Sequence, residues 1–162
     1  MATNFEHSVE YPFSTGRLWE LITGEQYWND LMEATNAGHG SVESVSAEGD
    51  ELTVTTKQGV GAENLPSVIT KVRPGDLEIP RSIVYRRAGD RITGRMEASV
   101  TGAPAKIFGD IVISGDPAVA RYEGRAEVGI PFVGGKIEKA VIEQVEQLLD
   151  AERDATVDFQ QR

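Results

Sequence analysis

Cysteine is absent from this 162-residue chain, which excludes disulfides and thiolate chemistry and fits a cytoplasmic protein. Histidine is scarce: His7 and His39 are the only two. They lie far apart in sequence, and a zinc site usually takes three or four His, Cys or carboxylate ligands, so no metal is expected. Positive charge is also short, with 16 Lys and Arg against 26 Asp and Glu and a net charge of −10. Nucleic-acid binding needs many cations set against phosphates, and anionic membrane surfaces repel an acidic protein, so neither is an expected partner. No apolar run approaches the roughly 18 residues of a membrane span. The opening "MATNFEHSVEY" lacks the basic patch and apolar core of a signal peptide and reads as mature sequence. No G-x-S-x-G or cysteine nucleophile points to acyl transfer, and no carboxylate pair points to glycoside chemistry.

What is present is periodic. In "TNFEHSVEY" (3–11), Phe5, His7, Val9 and Tyr11 share one face of a half-buried strand. Pro12 ends it. Ser14 is placed to cap a short helix carrying Leu18, Leu21 and Ile22. "TGEQ" (23–26) fits a capping box with Thr23 as cap, opening a second short helix with Tyr27, Trp28, Leu31 and Met32, to about Glu33. Trp19 and Trp28 read as packing residues. Three hairpins follow: strands 41–47 and 51–57 flank "EGD", 81–87 and 91–100 flank "AGD", and 105–114 and 118–128 flank "GDP". Segment 65–75, "LPSVITKVRPG", has the alternation of a strand and the proline placement of a short helix; the pattern does not separate them. Residues 132–158 carry Ile137, Val141, Val145, Leu148, Ala155 and Phe159 on one helical stripe, with Glu138, Glu143, Glu146, Gln147 and Asp150 largely elsewhere. Such a helix is roughly 40 Å long and needs a long apolar partner, for which the sheet is the candidate. No linker divides the chain, so residues 1–162 are expected to form one domain.

The stretch "VGIPFVGGKIEKAV" (128–141) joins strand to helix. A phosphate-binding loop requires G-x-x-x-x-G-K-[ST]. Gly129 and Gly134 have the spacing, but Gly135 stands in the lysine position, Lys136 is one place late, and Ile137 replaces the hydroxyl. Pro131 removes an N–H besides. Gly59-Val60-Gly61 is no dinucleotide fingerprint either, since Asn64 takes the third glycine position. No cofactor is implied. Here the two adjacent glycines are expected to allow a sharp bend into the helix.

Strand, two short helices, antiparallel meander, long C-terminal helix: this order resembles the helix-grip fold of the START-like (SRPBCC) superfamily. Within it, "IPFVGGKIE" (130–138) and "LPSVITKVRPGDLEI" (65–79) resemble the uncharacterised DUF2505 family. The resemblance implies an α+β, START/Bet v 1-like fold. In it a curved antiparallel sheet of about seven strands wraps on the C-terminal helix, with two short helices after the first strand. It also favours a short helix at 66–73. Superfamily members commonly enclose an apolar cavity between sheet and helix, so the implied partner is a small hydrophobic molecule such as a lipid, polyketide or quinone. A cyclase- or dehydratase-type enzyme on an apolar substrate, and a protein-interaction module with a filled core, remain as alternatives.

Alternation proposes the cavity face: Leu52 and Val54; Ile83 and Tyr85; Met96, Ala98 and Val100; Ile111 and Ile113; Tyr122, Ala126 and Val128. The expected ligand contacts are His7, Val9, Trp28, Ile83, Tyr85, Met96, Ala98, Ile111 and Tyr122, with Val141, Val145 and Leu148 from the helix. Gly94, Ala98, Gly109, Gly124 and Ala126 either let the helix pack closely or leave room for a ligand. Entry is expected near the two short helices. For an enzyme, the candidates for positioned polar groups are His7, Tyr85 and Tyr122. His7 otherwise reads as a core histidine bonded to a carbonyl or water, and His39 as a solvated loop residue. Glu152 falls on the apolar stripe: either the stripe drifts and it emerges into solvent, the simpler reading, or it meets Arg81 or Arg87. Arg86, Arg87 and Arg91 read as a solvated strand end balanced by neighbouring carboxylates.

Overall fold

Nine residues of alternating character, Ala2–Glu10, make β1, with Phe5 and Val9 buried. The structure, a computed structural model, describes residues 2–36, 40–72 and 74–161; His39 lies outside them. Ser14 caps α1 (Thr15–Ile22), its Oγ accepting the Arg17 N–H at 3.1 Å. The expected capping box does not form. Thr23 instead closes α1, and its hydroxyl donates to the Trp19 carbonyl at 2.9 Å, while the Gln26 amide donates to Asp30. Once Thr23 serves one helix as a C-cap it is not free to open the next. Helix α2 (Glu25–Asn36) therefore starts after Gly24, and it ends beyond Glu33.

The meander follows as β2 (Ser41–Glu48), β3 (Glu51–Val60), β4 (Leu77–Ala88), β5 (Arg91–Ser99), β6 (Ala105–Ser114) and β7 (Val119–Val128). Gly49, Gly89 and Gly115 adopt positive φ in the three hairpin turns read from sequence. The seven strands form one antiparallel sheet in the order β1-β7-β6-β5-β4-β3-β2, so only the β1–β7 pairing joins distant parts of the chain. A single 3-10 turn (Ala62–Asn64) and helix α3 (Ser67–Val72) separate β3 from β4. The undecided segment is thus helical: Pro66 precedes α3 and its carbonyl accepts the N–H groups of Ile69 and Thr70. Strand β4 begins earlier than the pattern indicated, and Pro80 lies within it. The β4–β5 ladder starts at Arg81, so the missing N–H of Pro80 leaves no gap toward β5.

Helix α4 (Gly134–Gln160) packs against β1, β7, α2 and α3. The bend before it is made by Phe132, whose φ is 70° and whose side chain is exposed. Of the two glycines only Gly134 is sterically required, since a Cβ there would stand 2.5 Å from the Val128 carbonyl oxygen. Glu138, expected away from the apolar stripe, is 1% exposed. Its carboxylate accepts the Val128 N–H at 2.9 Å and the Thr3 hydroxyl at 2.7 Å, tying the start of α4 to β7 and β1. These bonds satisfy the buried charge and hold its carboxyl below the usual range; desolvation acts in the opposite direction and is outweighed.

Candidate functional site

The residues assigned by alternation to the inner face do lie on the buried side of the sheet, which the helices cover with two packed clusters, a large one and a smaller one of Ile69, Val128 and Ile137. In the larger cluster Trp19, Tyr27, Trp28, Leu52, Ile83, Tyr85, Ile92 and Leu149 form a continuous core. Trp28 donates its indole N–H to the Ile22 carbonyl at 2.7 Å. Tyr27 and Thr156 share a buried hydroxyl–hydroxyl bond of 2.7 Å, pinning α2 to α4. Burial pushes the phenols of Tyr11, Tyr27, Tyr85 and Tyr122 well above the usual tyrosine range.

Beyond this core a cavity of about 520 Å3 remains between the sheet and the middle of α4. Its wall is mainly apolar: Leu65 and Ile69 around α3, Leu77 and Ile79 on β4, Met96 and Ala98 on β5, Ile107 on β6, and Val141, Val145 and Leu148 on α4. Exposed Asn64, Gln147 and Ala151 stand at its rim, so it opens between the β3–α3 connection and α4. Entry is expected from sequence near the two short helices; Thr35, at the end of α2, borders the cavity, while Trp28 is packed in the core.

Five of the expected ligand contacts come together on this wall: Met96, Ala98, Val141, Val145 and Leu148. Trp28 and Ile83 line only a separate void of about 10 Å3 beside it. Val9, Tyr85, Ile111 and Tyr122 are packed in the core. His7 is half-buried at the β1–α4 seam; its Nε2 donates to Asp150 at 2.7 Å, with Glu146 3.6 Å from Nδ1. Its hydrogen-bond partner is the Asp150 carboxylate rather than a backbone carbonyl. None of the three residues proposed for an enzymatic role lines the cavity. Among the small residues, Ala98 leaves room, whereas a Cβ at Gly94 would press on the Tyr85 ring at 3.0 Å, so that glycine serves packing.

Glu152 does not emerge into solvent. It forms a two-point pair with Arg81, Nη1 at 2.8 Å and Nη2 at 3.3 Å, and the side chains are 14% and 7% exposed. Burial lowers the tendency of Arg81 to hold its proton, but the charge and hydrogen bonds of Glu152 outweigh this and raise it. Arg86 pairs with the Glu51 carboxylate at 2.8 Å, as expected of a balanced strand end, whereas Arg87 donates to the Gly89 carbonyl.

Two polar residues escaped the sequence reading. In "ELTVTTKQGV" the inward row of β3 runs Leu52, Val54, Thr56, Gln58. The alternation was visible, but Thr and Gln carry no apolar signal. Gln58 and Arg81 line both the cavity and the small void, and Thr56 lines the void. Among the described residues no group of three or more His, Cys, Asp or Glu is placed to hold a metal ion. No described helix is long and apolar enough to cross a membrane.

Comparison with known proteins agrees with this architecture. Uncharacterised proteins of Mycobacterium tuberculosis (Rv0481c) and Mycobacterium bovis (Mb0491c) are each 28% identical over 94% of both chains. TTHA0849 from Thermus thermophilus superposes with a TM-score of 0.59 at 15% identity, covering 96% of this chain and 98% of that one. A START superfamily protein from Mycobacterium smegmatis gives 0.53 at 13% identity, covering 96% and 98%. Ara h 8.0201 gives 0.51 at 11% identity, covering 98% and 99%. The fold is therefore the START/Bet v 1-like helix grip. Residues 6–159 match the family described as "Protein of unknown function (DUF2505)", and the chain belongs to that family.

Proposed function

We propose that this protein binds a small hydrophobic molecule, without turning it over, in the cavity between the sheet and α4. The cavity itself carries the reading. About 520 Å3 of mainly apolar space, open at one rim, falls within the range of small-molecule sites. Apolar burial supplies affinity at about 25 cal/mol per Å2, before ordering costs. Among the described residues the cavity wall carries no Asp, Glu, His or Tyr, and its one lysine, Lys106, is exposed at the start of β6. The START superfamily neighbour shares the fold alone.

The test is titration with an apolar fluorescent dye, N-phenyl-1-naphthylamine, together with native mass spectrometry of gently purified protein. Saturable enhancement is expected in the wild type. Ala98→Trp fills the cavity and should abolish it while leaving the circular dichroism spectrum unchanged. Equal enhancement in both proteins would place the dye elsewhere and remove the proposal.

A further inference from the structure

The cavity wall carries an amide with no side-chain partner among the described residues. Gln58 is 5% exposed, lines the cavity, and makes no side-chain hydrogen bond to any described residue. Two residues earlier on the same face, the Thr56 hydroxyl is buried and also unpartnered, in the small void that Gln58 adjoins. Buried polar groups are nearly always bonded, because leaving one unpaired costs about 1–3 kcal/mol. The Thr56 hydroxyl is left so, and the Gln58 amide two residues on lines a mainly apolar space, an arrangement that core packing alone does not call for. Resting on the binding role above, we infer that Gln58 is the polar recognition point of the cavity. Its amide exchanges hydrogen bonds with a neutral oxygen function, a hydroxyl or carbonyl, at one end of an apolar ligand.

Charge decides for a neutral group over a carboxylate. Arg81 stands close by, but its charge is already matched by Glu152 at 2.8 and 3.3 Å, and its Nε–H points to the Met96 sulfur at 3.2 Å. An incoming carboxylate would find no unmatched cation there and would lie near the Glu152 carboxylate. The other cation on the wall, Lys106, is exposed at the start of β6. An amide, with both donor and acceptor, suits a hydroxyl or carbonyl without needing a counter-charge. A site built this way also discriminates against a ligand lacking the oxygen, which would bury the amide unpaired.

Three ligands of one shape separate these cases: naphthalene, 2-naphthol and 2-naphthoate, each displacing N-phenyl-1-naphthylamine from wild type, Gln58→Leu and Gln58→Met. Both variants keep nearly the side-chain volume, and retained dye binding shows that each has folded. The Kd of 2-naphthol should rise roughly three- to tenfold in the variants, the worth of one neutral hydrogen bond. That of naphthalene should stay level or fall, an opposite movement that general destabilisation does not produce. 2-Naphthoate should bind more weakly than 2-naphthol to the wild type. An unchanged ratio of 2-naphthol to naphthalene affinity in the variants would overturn the role of Gln58 while leaving the cavity a binding site. Tighter binding of 2-naphthoate would overturn the preference for a neutral group. No dye binding by the wild type would overturn the binding role itself, and this inference with it.

Discussion

Removing the Glu152 carboxylate should be among the most damaging single changes to this protein. The partner left behind is Arg81, 7% exposed, with two guanidinium nitrogens that had pointed at Glu152. A guanidinium does not escape burial by losing its proton. Breaking a buried ion pair from one side costs about 3–5 kcal/mol, most of it the uncompensated charge that remains. For a chain of this size each kcal/mol lowers Tm by about 2–4 °C, so Glu152→Leu should lose on the order of 10 °C. The double variant Arg81→Met/Glu152→Leu removes both charges and keeps apolar volume, and should recover most of that loss. The exposed pair Arg95–Asp110, 3.4 Å apart, is the control. Asp110→Ala should shift the urea midpoint scarcely at all, by about 0–1 kcal/mol. Urea unfolding of wild type, the two single variants at 81 and 152, and the double variant forms a thermodynamic cycle. A coupling as small as that of a surface pair would refute the reasoning and mean that Arg81 reaches water.

Two further outcomes are expected. Gly134→Ala places a methyl group 2.5 Å from the Val128 carbonyl oxygen and should cost about 1–3 kcal/mol, read from the urea midpoint, whereas Gly135→Ala, with open space around it, should not. The carboxyl of Glu138 is held below its unfolded value, so the unfolded chain binds more protons as acid is added. Its contribution is present above the unfolded range near pH ~4.3 and is lost as pH falls through the lower folded value. Stability measured between about pH 2 and 6 should therefore fall less steeply in Glu138→Gln, and an identical slope would remove Glu138 from the acid response.

Local chemistry made much of the fold legible. Alternation in 3–11, the Gly-Asp turns after residues 48, 88 and 114, and the helical stripe from Ile137 onward each depend on neighbours within a few residues, and each formed where it was read. The misread positions were those with competing local uses. Thr23 could cap either of two helices, and Pro80 was tolerable only because of where β5 stops. The candidate site was half legible. Met96, Ala98, Val141, Val145 and Leu148 follow from periodicity, while the polar row Thr56–Gln58 was visible as a pattern but silent as chemistry.

The sequence by itself determined the order of elements outside 65–75, the inward apolar face of most strands and the length of the helix, because those are properties of consecutive residues. Only the tertiary structure decided that Glu152 meets Arg81 across 71 positions, that Glu138 is buried against Val128 and Thr3, and that the free volume lies away from the aromatic end. Each of these is a sum over residues from several elements. The volume left beneath a helix depends on which large side chains from other strands arrive there, and no local pattern carries that quantity.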